Sequence, residues 1–175
     1  MIVSLRPGHG FPSAGSVPQR RRVVIIGATE AGVSAAFHLG EQALLLEQKD
    51  LDAPDLTHTE IRLGTRVTAI DIRERRIEVS TGERFVYDKL VSTLHTIALH
   101  SLVADQLPRR IQSVEAFRYW LNGRDVELLD AETQEFLGDV DGHAAGKRVA
   151  EALHRVLAAK YTNTPLFQPR FVAAT

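Results

Sequence analysis

The stretch Arg22-Val23-Val24-Ile25-Ile26-Gly27-Ala28-Thr29-Glu30-Ala31-Gly32 leaves this chain few folds to choose from. Four apolar β-branched residues read as a buried strand, and Gly27 opens a tight turn directly after it. From Ala31 to Leu39 a helical pattern carries small residues on one side. Leu44-Leu45-Leu46 then forms a second apolar strand, closed by Glu47, which follows Gly27 by twenty residues. A strand–turn–helix–strand–acid order at this spacing suits an adenine dinucleotide. Its pyrophosphate sits on the free N–H groups of the helix N-terminus and its ribose hydroxyls bond to the carboxylate. The candidate contact residues are Gly27, Ala28, Thr29, Glu30, Ala31 and Gly32 in the turn, with Glu47 and Gln48 at the strand end. Thr29 stands where the pattern Gly-x-Gly-x-x-Gly has its middle glycine. Its Cβ either hinders the approach of the pyrophosphate, or its hydroxyl hydrogen-bonds a phosphate oxygen. The alternative for the whole unit is a nucleotide-free fold in which Glu47 is a solvated strand end.

Composition narrows the function classes. At 175 residues the chain supports one full core. Its 44% hydrophobic and 25% charged residues are those of an ordinary globular protein. A net charge of −1 gives no global field for nucleic acid or an anionic membrane. The basic run Gln19-Arg20-Arg21-Arg22 reads as a solvated edge before the first strand. With no cysteine, structural disulfides, a redox dithiol, a cysteinyl-flavin link and thiolate metal sites are excluded. No signal-peptide core and no run of about 18 apolar residues is present, so the expected setting is cytoplasmic, without a membrane or nucleic-acid partner.

Residues 1–18, rich in proline and glycine, are expected to form a flexible leader, residues 19–160 the folded domain and residues 161–175 a tail. After the first β-α-β unit, about Arg21 to Gln48, Lys49 to Thr59 reads as a loop. Three closely spaced strands follow at Arg66–Asp71, Arg76–Ser80 and Arg84–Tyr87, a small antiparallel meander with a turn at Thr81-Gly82-Glu83. Lys89–Thr93 is expected to be a further strand that rejoins the main sheet. Ile97 to Leu121 reads as two helical pieces broken near Pro108, and Asp125–Leu129 and Glu135–Leu137 as short strands. Gly142 to Ala159 is a clear helix, with Val149, Ala152, Leu153, Val156 and Leu157 on one face. No internal repeat is found.

A nicotinamide domain usually continues from its second strand into another helix and a third strand; here the meander follows. At this point the chain resembles the FAD-binding domain of the two-dinucleotide-binding flavoproteins, in particular the amine oxidase, protoporphyrinogen oxidase and UDP-galactopyranose mutase group. The likeness rests on Val23 to Glu47, Arg62 to Asp71, Gly82 with Tyr87 to Leu94, and Phe136-Leu137-Gly138-Asp139-Val140-Asp141-Gly142, a little under half the chain. It implies an α/β, Rossmann-like FAD-binding domain with a parallel central sheet and a small antiparallel β-meander, and FAD as cofactor. It further implies that Val67 meets adenine through its backbone and that Asp139, beside Gly138, bonds the ribityl or pyrophosphate region. The helix beginning near His143 would point its N-terminus at the flavin, where free N–H groups favour an anionic reduced ring.

The departures are equally specific. Gln48-Lys49-Asp50-Leu51-Asp52 lacks the glycine- and arginine-containing phosphate loop of that family. The spacing between Thr93 and Asp125 leaves no room for a substrate domain. Substrate contacts would then come from a partner chain or a second copy, and the substrate is a small molecule of unassigned class. The other readings are a degenerate, non-catalytic binding or assembly module and an NAD(P)-dependent enzyme. His95 and His100, five apart, suit no shared metal, and no metal site is expected. His38 reads as a helix C-terminal contact, and His143 as either a proton donor near the flavin or a helix cap. No serine lies in a nucleophile elbow. Phe117, Tyr119 and Trp120 are too close together for a one-sided stripe and are expected to pack a loop or an oligomer contact.

Overall fold

In a computed structural model the described residues are 17–138 and 141–162. Seven strands form one sheet: β1 (Gln19–Ile26), β2 (Ala43–Leu46), β3 (Glu60–Arg62), β4 (Val67–Asp71), β5 (Arg76–Val79), β6 (Arg84–Ser92) and β7 (Val126–Leu128). Their order is β3-β2-β1-β6-β5-β4, with β7 also on β6. The strands β3, β2, β1, β6 and β7 pair in parallel, whereas β4, β5 and the first part of β6 pair antiparallel. Strand β6 therefore serves two partners along its free edge. Arg84 to Val86 meet β5, and Leu90 to Ser92 meet β7. This is the Rossmann-like α/β fold with an antiparallel meander.

Helices cover both faces. α1 (Glu30–Leu39) and α5 (Gly142–Thr162) lie on one side, where Val23, Ile25, Leu45 and Val91 pack against Ala35, Ala36, Val149, Leu153 and Leu157. α2 (Thr96–Val103) and α3 (Val114–Asn122) lie on the other, where Val24, Leu44, Tyr87 and Leu90 meet Leu99, Val103, Phe117 and Leu121. The unbroken apolar runs in β1 and β2 follow from this two-sided cover. α1 and α5 pack closely because Gly146 has no side chain: a Cβ there would lie 2.3 Å from the Ala31 carbonyl oxygen. The Ser34 hydroxyl adds a 2.6 Å bond to the His143 carbonyl. Among the described residues no helix is long and apolar enough to cross a membrane.

Several expectations are corrected. The basic run belongs to β1, where Arg20 pairs with Asp88 and Arg21 with Glu60, each at 2.8 Å. The loop after β2 ends in a third parallel strand, β3, too short for periodicity to reveal. Arg84–Tyr87 and Lys89–Thr93 are one strand, β6. Asp88 breaks the apolar pattern yet is buried, held by Arg20 and Lys160. Glu135–Leu137 is no strand: α4 (Ala131–Phe136) forms because Asp130 caps it, accepting from the Thr133 N–H at 3.3 Å. Phe117 and Trp120, three apart, both face the core from α3, and only Tyr119 is exposed. Val156 is also exposed, on the side of α5 away from the sheet. Residues 1–16, most of the expected leader, and 163–175, nearly all of the expected tail, lie outside the described residues.

Candidate functional site

From β1 the chain passes through α1 to β2 and β3 on one side, and it places β6 and β7 on the other. The change of direction lies between the C-terminal ends of β1 and β6, where open α/β sheets form ligand crevices. Thr93, just past β6, folds back over this point. Its N–H and its hydroxyl both donate to the Ile26 carbonyl, at 2.9 and 2.8 Å. Gly27 turns beneath it with φ +99°, and a Cβ at Gly27 would come within 2.0 Å of Thr93 Oγ1. At Gly32 a Cβ would meet the Gly27 carbonyl oxygen at 2.1 Å. Both glycines are therefore required by geometry.

Glu47 reaches from the end of β2 to this turn. One carboxylate oxygen accepts from the Ala28 N–H at 3.1 Å and the other from the Lys49 N–H at 2.9 Å. A carboxylate has about four acceptor positions, so two backbone bonds leave capacity for a ligand hydroxyl. Thr29 caps α1: its hydroxyl accepts from the Gly32 N–H at 3.2 Å and keeps its own hydrogen to donate. The side chain that breaks the glycine pattern is thus part of the helix start.

Gly27, Thr29, Glu47, Gln48 and Val67 line one cavity of about 410 Å³. Ala28 joins through its bond to Glu47. Sequence reasoning missed four of its walls. Lys49 and Arg66 are exposed cations at the rim, Thr93 forms the floor, and His95 caps α2. The available signal for Thr93 and His95 was their place just after a parallel strand. His95 Nδ1 accepts from the Ile97 N–H at 3.3 Å, so Nε2 carries the proton and donates to Glu132 Oε1 at 2.9 Å. That bond ties the start of α2 to the start of α4.

The remaining predicted residues lie around the starts of α1 and α5. A Cβ at Gly142 would lie 3.4 Å from both the Ala31 nitrogen and Glu30 Oε2, so the two helix N-termini adjoin and the exposed Glu30 carboxylate stands between them. Gly138, with φ +77°, follows α4 and bonds through its N–H to the Glu135 carbonyl. Asp139 lies outside the described residues. His143 is exposed, with its ring 6.1 Å from that of His38, and its N–H donates to Asp141 Oδ1 at 2.9 Å. His38 bonds the Ser34 carbonyl within α1 at 2.8 Å.

Along β3, Arg21, Glu60, Arg62 and Glu83 form a chain of ion pairs at 2.8 to 3.0 Å. The hydrogen bond from Arg21, helped by Arg62, holds the Glu60 carboxyl below its ordinary range. At Arg62 burial opposes the charge, but the bonds to Glu60 and Glu83 outweigh it and raise its pKa.

No family model and no curated protein matches the sequence. Solved structures do. A NADH:rubredoxin oxidoreductase from Clostridium acetobutylicum is similar at 16% identity and a TM-score of 0.39, over 42% of this chain and 27% of its own. A pyridine nucleotide-disulfide family oxidoreductase from Enterococcus faecalis V583 is 27% identical with a TM-score of 0.35, over 41% of this chain and 22% of its own. PqsL of Pseudomonas aeruginosa, a probable FAD-dependent monooxygenase, is 12% identical with a TM-score of 0.41, over 54% and 48%. The chain thus spans about a quarter of the first two and about half of the third.

Proposed function

We propose that the crevice between β1 and β6 binds FAD and that the protein serves flavin-dependent redox chemistry. The observation that carries this reading is the Glu47 carboxylate, bonded at 3.1 Å to the Gly27–Thr29 turn and beside an open cavity shared with Val67. An acid tethered there would bind ribose hydroxyls with its remaining lone pairs. The first turn of α1 and the Thr29 hydroxyl would take the diphosphate, with Lys49 and Arg66 compensating its charge in place of the missing phosphate loop. Val67 would meet adenine through its backbone. Gly138 and the α5 start at His143 would lie toward the ribityl chain and the ring, and the resemblance assigns Asp139 a bond to the ribityl or pyrophosphate region. When bound, the flavin supplies the redox chemistry through N5. The meander and the motif order favour the amine oxidase, protoporphyrinogen oxidase and UDP-galactopyranose mutase group within this class. Because the connection from β6 to β7 holds just the short helices α2 and α3 and a 3-10 turn at Ala104–Gln106, substrate contacts would come from a second subunit or partner chain.

One observation favours a second reading, a non-catalytic module that keeps the fold. Glu30 places its carboxylate against Gly142, so the helix end that would favour an anionic flavin already has an anion beside it. A visible spectrum of the purified protein before and after adding FAD separates the two. Flavin bands retained through gel filtration are expected, with stabilisation by about 2.7 kcal/mol at a hundredfold excess over Kd. Colourless protein whose melting does not respond to FAD supports the module instead. A response to nicotinamide cofactors alone would transfer the site to NAD(P).

A further inference from the structure

A second, larger cavity of about 790 Å³ lies at the opposite end of the meander. Val67 begins β4 at the dinucleotide crevice, whereas Asp71 ends it at this cavity. The walls are the β4–β5 hairpin and the last turn of α3. Four arginines line it, Arg73, Arg75, Arg76 and Arg124, against three acids, Asp71, Glu78 and Asp105. The acids are partly committed: Asp71 stands 3.9 Å from Arg76, and Glu78 is 3.7 Å from Arg84 outside the lining. Arg73 is exposed and has no ion-pair or hydrogen-bond partner among the described residues. Arg124 lies over the Trp120 ring, 4.4 Å from its centroid, and donates to the Trp120 carbonyl at 3.0 Å.

Three further features mark this place. The Trp120 indole N–H is buried and has no partner among the described residues, although Trp120 belongs to the lining. Arg75 and Asp125, joined at 2.7 Å, are the two non-glycine residues among the described ones with positive φ, at 50° and 64°. Left-handed backbone at such residues costs of order 1–3 kcal/mol and concentrates at functional sites. Each guanidinium carries five donors in a planar fork matched to phosphate, and few of those donors are used here.

We propose that this cavity is a binding site for a small organic phosphate of nucleoside monophosphate size, separate from the dinucleotide crevice. The volume falls within the range of small-molecule sites and far exceeds a lone phosphate ion. One surplus positive charge in the lining suits a mono- or dianion rather than a polyanion. The indole offers a flat apolar wall for the organic part. The proposal does not depend on whether FAD binds at Gly27.

Trp120 is the chain's one tryptophan, so its emission reports on this cavity. The full-length protein is titrated with AMP while Trp120 emission is followed, with calorimetry in parallel. A saturable change is expected. It should weaken by about tenfold or more in Arg73→Glu, which alters an exposed hairpin residue, and persist in Glu47→Ala. Circular dichroism and melting of Arg73→Glu establish that it folds. The proposal is overturned if AMP produces no saturable change at millimolar concentrations. It is equally overturned if Arg73→Glu binds as the wild type does, or if binding is lost in Glu47→Ala and retained in Arg73→Glu.

Discussion

At the scale of single residues the crevice is governed by contacts that admit one side chain or none. Gly27→Ala must both hold φ +99° and displace Thr93 Oγ1, so it should destabilise the fold by about 1–3 kcal/mol in urea titrations. Adding Thr93→Ala removes the clash but not the backbone strain. The double mutant should therefore lose less than the sum of the single losses, and strict additivity would show that Thr93 does not define the turn. Glu47→Ala leaves the Ala28 and Lys49 N–H groups without their acceptor, for an expected loss of about 1–2 kcal/mol and of FAD uptake together. Tyr87 behaves differently. Its hydroxyl is buried with no partner among the described residues, and burial above all pushes its pKa well above the ordinary 10.0. A raised folded pKa means that stability is complete below pH 10.0 and declines as pH rises beyond it. Tyr87→Phe should fold at least as well at neutral pH and show a shallower alkaline decline in its urea midpoint.

At the scale of elements the closest fit is between α1 and α5. Gly146→Ala places a Cβ 2.3 Å from the Ala31 carbonyl oxygen and should cost about 1–3 kcal/mol, read from thermal unfolding. A neutral outcome would mean that α5 can slide along α1. The elements most legible in the sequence were those whose burial is uniform along their length. β1 and β2, apolar on both faces, and α1, with its glycine turn, follow directly from residue pattern. β3 was hidden because three residues carry no period, and its position is fixed by pairing with β2 and by Arg21–Glu60. β6 was divided in two because Asp88 looks like a break, and the approach of Arg20 and Lys160 helps make that acid tolerable inside the sheet. Asp130 could have revealed α4 as a helix cap, but the apolar Phe136-Leu137 pair suggested a strand. Within the site, Gly27, Thr29, Glu47 and Val67 were found from spacing and resemblance. Lys49, Arg66, Thr93 and His95 converge on them only after strands distant in sequence are laid side by side.

At the scale of the whole molecule, the ion pairs running from β1 through β3 to the β5–β6 turn tie together parts of the sheet that lie far apart in sequence. Glu60 has a depressed folded pKa, so its contribution is present above the ordinary value of 4.5 and is lost as pH falls through the depressed one. Glu60→Gln should flatten the acid limb of a stability–pH curve measured by urea midpoints, and an unchanged limb would assign acid sensitivity elsewhere. The same molecule-wide view bears on assembly order. α5 meets α1 across a separation of 109 residues at Ser34 and His143, and of 116 at His38 and His154. During synthesis this face of the nascent sheet is therefore covered by α1 alone, with the share packed by Val149, Leu153 and Leu157 left open, until α5 has left the ribosome. A chain stalled before that moment would present a sticky surface, so this protein should depend on chaperones most heavily until α5 has been made.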